Sequence, residues 1–139
     1  MEQIEKNTVP GDNQLKGKNG VFFIGEGKGL RVLFVGNSIT LHPKAPEIGW
    51  DREWGMAASA PEKDYVHILI SKIREKNPDA AFCVVQVSEW ERQFMHGEDC
   101  LPKYQRAAEF GADVIIMRLI ENCPYQEFDD QKFMEEYQK

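Results

Sequence analysis

The chain has 139 residues, 42% of them hydrophobic and 29% charged, with a formal net charge of -6 at pH 7. That length suits one domain with a core of its own and is short for a doubly wound enzyme. An acidic balance with no basic cluster argues against nucleic acid and anionic lipid as partners, and no apolar run approaches the roughly 20 residues that span a bilayer.

Residues 1–19 hold Pro10-Gly11-Asp12-Asn13 and several lysines but almost no apolar periodicity. They read as a polar, loosely ordered arm rather than a secretory signal, leaving 20–139 as the folded domain. Cys83, Cys100 and Cys123 are odd in number and lack metal-ligand spacing, so free thiols in a reducing, cytoplasmic compartment are expected, with no metal and no cofactor.

Val21–Ile24 is a short strand candidate, and the turn-like Gly25-Glu-Gly-Lys-Gly29 follows it. This strand either forms a hairpin with the next one or caps the sheet elsewhere. Arg31-Val-Leu-Phe-Val-Gly36 is an unbroken apolar run, the pattern of a strand buried on both faces, and its glycine lets the chain turn sharply to deliver Ser38. Residues 41–58 form a long connection rich in proline, glycine and tryptophan, a kind of loop that is often functional.

Ser59-Ala-Pro-Glu62 reads as a capping box that opens a helix with Val66, Leu69, Ile70 and Ile73 on its buried face, closed by Asn77-Pro78. Ala81–Val87 is the next strand, with Ser88-Glu-Trp-Glu-Arg92 as the loop at its carboxyl end. Residues 99–110 read as a helix with Leu101, Tyr104 and Ala108 inward and Gly111 as its terminator. Val114–Leu119 is a further strand, and Asp129–Lys139 begins a helix with Phe133, Met134 and Tyr137 on one side. The β-α-β-α-β-α order over the three long strands predicts a parallel sheet with helices on both faces.

Three stretches carry a family resemblance. Gly36-Asn-Ser-Ile-Thr40 resembles the Gly-Asp-Ser block of the SGNH (GDSL-like) hydrolases. Pro46-Glu-Ile-Gly-Trp50 through Trp54-Gly-Met-Ala-Ala-Ser59 resembles a bacterial branch of the same family, and the likeness runs on to Asp113-Val-Ile-Ile-Met-Arg-Leu-Ile-Glu-Asn122, covering roughly 31–123. The resemblance implies a flavodoxin-like three-layer α/β/α fold with a parallel sheet of order 2-1-3, truncated relative to five-stranded members. It implies a serine esterase or lipase-like hydrolase acting on small esters, an acyl or acetyl group on a carbohydrate among them. Ser38 takes the place of the nucleophile, and the Ser38 backbone N–H, Gly55 and the Asn122 side chain take the oxyanion hole. Asn37, Trp50, Trp54 and Glu121 are candidates to line the pocket. The tryptophans serve equally as a hydrophobic cover, and Glu121 with Arg118 reads as a structural ion pair. Without the family match, Ser38 reads as a cap for the following turn, while Gly55 and Asn122 each have a bland reading in a turn or a loop backbone.

Two departures stand out. Asn37 sits where the family usually has aspartate, and the third block reads Arg118-Leu-Ile-Glu-Asn122 where the usual pattern is glycine-any-asparagine-aspartate. The family's base is the histidine of a fourth Asp-x-x-His block, absent from this chain. Asp64-Tyr-Val-His67 has the spacing but falls at the start of the first long helix, and reads as a helix-start aspartate with a partly exposed histidine. His42 and His96 read as surface residues. Loss of one triad member costs on the order of 10⁴-fold in rate, so the chain alone is expected to be nearly inactive. Two alternatives stand beside the hydrolase: a non-catalytic homologue that binds a ligand or itself, and a flavodoxin-like module whose 36–40 loop cradles a phosphate. With no fourth strand, Val114-Ile-Ile-Met becomes a naked apolar edge, which predicts a homodimer or larger assembly through 113–139.

Overall fold

A computed structural model describes residues 16–18 and 20–139. The arm expected over 1–19 lies outside the described residues apart from Lys16–Lys18, which form a strand, β1. The chain continues through β2 (Val21–Ile24), β3 (Arg31–Gly36), α1 (Tyr65–Lys76), β4 (Ala81–Gln86), α2 (Ser88–Arg92), α3 (Gln105–Ala108), β5 (Val114–Arg118) and α4 (Asp130–Tyr137). The fold is mixed α/β.

The sheet order is β1-β2-β4-β3-β5. β3 runs parallel to β4 and to β5, with Arg31 opposite Ala81 and Val32 opposite Val114. β2 pairs antiparallel with β4, Val21 opposite Val85, and β1 pairs antiparallel with β2. The three long strands thus lie in the order second-first-third, while the antiparallel β2 and β1 extend the sheet beyond β4 and correct the all-parallel, flavodoxin-like sheet of order 2-1-3 expected from the sequence. The cause lies in the 25–29 turn. The Lys28 backbone N–H donates to Asp79 Oδ2 at 3.0 Å, and Gly29 N–H donates to the Asp79 carbonyl at 2.9 Å. Asp79 stands just before β4, so the turn pins the end of β2 to the start of β4 and β2 runs back along it. The choice left open by the sequence is thus settled for β4 and against a hairpin with β3.

Side chains alternate across the sheet. Val32, Phe34, Phe82 and Val84 face α1 and pack with Val66, Ile70 and Leu41. Leu33, Cys83 and Val85 face the other way, into a core with Trp90, Phe94, Ala107, Phe110 and Phe133. Each of these large side chains, nearly or wholly buried, contributes about 1.5–3 kcal/mol of transfer free energy. Helices therefore cover both faces, as the element order predicts.

Local details differ from the sequence reading. α1 is capped by Asp64, whose Oδ1 accepts the His67 backbone N–H at 2.7 Å, and Ser59 caps nothing. The expected capping box fails because Pro61–Lys63 forms a separate 3-10 turn before α1. Ser88–Arg92, expected as a loop, is the short helix α2. The 99–110 helix is broken into a 3-10 turn and α3. Ala107 and Phe110 point inward, while Leu101 and Ala108 are exposed. Pro102, within the first turn of that segment, shifts its phase. On α4 the buried pair is Phe133 and Glu136, and Met134 and Tyr137 are exposed.

Candidate functional site

Three loops leave the carboxyl ends of β3, β4 and β5 together, the position where open α/β sheets bind ligands. Ser38, partly buried, sits in the first turn beyond β3. Gly36 is required there: a Cβ on it would stand 1.8 Å from Thr40 Oγ1. Thr40, itself buried, shares a hydrogen bond of 2.6 Å with the Tyr65 hydroxyl at the start of α1. Burial raises the Tyr65 pKa, against the opposing pull of the Thr40 hydrogen bond and the Arg118 charge.

The second stretch is stitched onto this loop. Met56 N–H donates to the Ser38 carbonyl at 2.9 Å. Gly55 lies so close to the Ile39 carbonyl that a Cβ would stand 2.1 Å from its oxygen. The Gly55 N–H, however, donates to Asp64 Oδ2 at 3.1 Å. Gly55 thus serves close packing here, and a role as an oxyanion donor needs that bond to be exchanged. Asp64 is 3% exposed and also accepts from its own helix and from His67, whose Nδ1 lies 2.8 Å from Oδ1. Its reading as a helix-start aspartate is what the structure shows.

The residue that joins the strand ends is one the sequence analysis did not single out. Glu91, on α2, is 0% exposed. Its Oε1 accepts Asn37 Nδ2 at 3.2 Å and the Ile120 backbone N–H, and its Oε2 accepts Asn122 Nδ2 at 2.6 Å. One buried carboxylate therefore ties together the loops after β3, β4 and β5. Asn37 Nδ2 also donates to Glu121 Oε2 at 2.6 Å, and Asn37 Oδ1 accepts the Ile39 N–H, so this amide is fully used in positioning. The amide of Asn122 keeps one N–H beyond the bond to Glu91. In α2, five residues long, no periodicity marks Glu91, and it stands among the charged neighbours Glu89 and Arg92. Only the adjacent Trp90 hints that the segment turns inward.

Glu121 forms the expected ion pair with Arg118, at 2.5 Å. Burial alone would raise its carboxyl pKa; its own backbone N–H, the Asn37 amide and the Arg118 guanidinium outweigh that and hold it below the usual carboxylate value. The turn carrying Glu121 and Asn122 is strained at Ile120, whose φ of 105° no other non-glycine described residue approaches. A β-branched residue at positive φ costs on the order of 1–3 kcal/mol.

The two tryptophans pack on each other and on Arg52. Trp50 and Trp54 meet edge to face at 6.0 Å, the Arg52 guanidinium lies over both rings, and Trp54 is only 4% exposed. His42 stands at the edge of this group, its ring against Trp50 and its Nδ1 2.6 Å from the Pro43 carbonyl. Cys123, next to Asn122, is 3% exposed, and burial together with the charges of Glu91 and Glu121 pushes its thiol up to about 11. Among the described residues there is no group of three or more His, Cys, Asp or Glu side chains that could hold a metal, and no helix long and apolar enough to cross a membrane.

Comparison of the chain with protein-family models, with curated proteins and with solved structures returned no match.

Proposed function

We propose that this cluster is the nucleophile and oxyanion part of a serine hydrolase site of SGNH type, acting on small esters such as O-acyl groups of carbohydrates. The observation that carries the reading is the shared buried acceptor: through Glu91, the Asn122 amide is held beside the loop that presents Ser38. Acyl transfer needs donors aimed at the oxygen that becomes charged, on a frame that does not reorganise during the reaction. The Ser38 N–H and the second N–H of Asn122 are those donors.

A second feature supports the alignment of the third block. Ile120 occupies the place of the glycine in the pattern glycine-any-asparagine, and its backbone holds a φ that favours glycine. The chain keeps the family's turn while lacking its residue, which accounts for the strain at that position. No described histidine is seen bonded to Ser38: His67 turns its Nδ1 to Asp64 and His42 its Nδ1 to Pro43. The base is then the missing part, and the chain alone hydrolyses esters only near the background rate.

The test is chemical rescue. Imidazole in solution stands in for the absent base, so p-nitrophenyl acetate hydrolysis by the chain should rise above that of Ser38→Ala at equal imidazole. Equal rates for the two proteins at every imidazole concentration sink the reading.

The alternative, a non-catalytic module that associates with itself, is favoured by the free side of β5. Asp113 N–H donates to the Arg31 carbonyl at 2.8 Å. The alternation of a parallel ladder then turns the N–H and C=O groups of Val114, Ile116 and Arg118 toward the open edge. Val114, Ile115 and Met117 are 44%, 56% and 44% exposed, so the edge is apolar on both faces. A second copy, antiparallel about Ile116, satisfies those groups in self-complementary register and brings each chain's Arg118 end beside the other's Asp113 end. The free thiols of three buried cysteines accord with a cytoplasmic setting for either reading.

A further inference from the structure

A concavity lies at the opposite end of β3 from Ser38. Its volume is about 420 Å³, within the range that holds a small metabolite. It opens beside the 25–29 turn and is lined by Arg31, Arg106, Phe23, Phe110, Glu26 and Glu109.

Both guanidinium groups are fixed on aromatic faces. That of Arg31 lies 4.2 Å from the centre of the Phe110 ring, and that of Arg106 lies 4.9 Å from the centre of the Phe23 ring; the two rings are 5.9 Å apart. Arg31 is held further by the bond from its Nε to the Phe110 carbonyl at 2.6 Å. Among the described residues, neither arginine has a carboxylate within ion-pair distance, although Glu26 and Glu109 line the same concavity. In an acidic protein, two cations stacked on rings in one concavity, neither in an ion pair among the described residues, are arranged for an anion from outside. The buried Cys83 thiol lies within the field of both, and it is pushed up to about 12 by burial despite their opposing charge, so it supplies no anion of its own.

We propose that this concavity binds a small hydroxylated organic anion of the sugar-phosphate kind, its phosphate on Arg31 and Arg106 and its hydroxyl groups donating to Glu26 and Glu109. The two carboxylates would repel a bare anion, and they suit a ligand that presents donors a few ångströms from its charge. The site is independent of the Ser38 chemistry.

The probe is glucose 6-phosphate, titrated calorimetrically at constant ionic strength in chloride, with inorganic phosphate and glucose as comparators. The expected result is saturable binding of the ester, tighter than inorganic phosphate, with none for glucose. Arg106→Gln, on an exposed side chain with no hydrogen bond among the described residues, should weaken the ester about tenfold or more, the cost of a lost charge-assisted contact. Arg106→Lys should recover only part of that, because the planar fork is gone. Glu26→Gln with Glu109→Gln should improve inorganic phosphate and narrow the preference for the ester. Ser38→Ala should leave all of these constants unchanged. Absence of saturable binding, or binding that Arg106→Gln leaves intact, overturns the proposal.

Discussion

Asn122 Nδ2 and Glu91 Oε2 stand 2.6 Å apart across the ends of β4 and β5, in a position wholly closed to solvent on the glutamate side. A buried carboxylate persists only where its lone pairs are taken up, and here two side-chain amides and a backbone N–H do so. Glu91→Ala strands those donors, so an unfolding free energy lower by about 2–4 kcal/mol is expected in urea titration. Glu91→Gln sets an amide against the Asn122 amide. Adding Asn122→Asp reverses donor and acceptor and should restore about 1–2 kcal/mol in a double-mutant cycle. A cycle that closes with no coupling would show that the two side chains do not depend on each other.

The Ile120 turn offers a gain rather than a loss. At φ 105° a glycine is unstrained, and the Ile120 side chain is 47% exposed and gives up little burial. Ile120→Gly should therefore raise stability by about 1 kcal/mol, even after the added entropy of the unfolded glycine. A lower melting temperature for Ile120→Gly than for the wild type contradicts the strained turn.

Much of this architecture was legible beforehand. Strong apolar runs announced β3 and β4, and the helical spacing of Val66 and Ile70 announced the buried face of α1. The signal failed where tertiary contacts override local pattern. β2 carries no information on its partner, because the deciding bonds come from Asp79, 51 residues beyond Lys28. Asp64 outcompeted Ser59 as a cap because Pro61 starts a separate turn. In the site, Ser38 and Asn122 came from the family resemblance. Glu91 looked like one more surface charge, since burial of a lone glutamate depends on donors brought in from residues 37, 120 and 122.

Acid should weaken the α4 end of the molecule in a defined window. Glu136, 2% exposed, is held down to about 2 by hydrogen bonds from Lys132 and Lys139. A carboxyl lowered in the folded state contributes stability above its unfolded value of 4.5 and loses it as pH falls toward about 2. Stability measured from neutral pH down through that window should fall more steeply for the wild type than for Glu136→Gln. Parallel curves would contradict the ion-pair assignment.

Thiol chemistry should be silent in the native state. Cys83, Cys100 and Cys123 are all buried, and burial raises the thiols of Cys83 and Cys123 to about 12 and about 11. Ellman's reagent at mildly alkaline pH should react with none of them until denaturant is added, and then with three. Rapid native labelling of Cys123 would mean that the crevice beside Asn122 is open.

If β5 pairs with a second copy, its exposed apolar side chains govern association and leave the monomer fold untouched. Light scattering after size exclusion should give a dimer mass for the wild type and a monomer mass for Ile115→Lys with Met117→Lys, since charges on both strands of such a pair repel. A wild-type monomer at all concentrations contradicts the pairing.

The most direct test of the site is ester hydrolysis with and without added imidazole, for the wild type and for Ser38→Ala. The account predicts nearly identical slow rates without imidazole and a saturable, Ser38-dependent excess with it. Rates for the two proteins that stay equal throughout would contradict a nucleophile at Ser38.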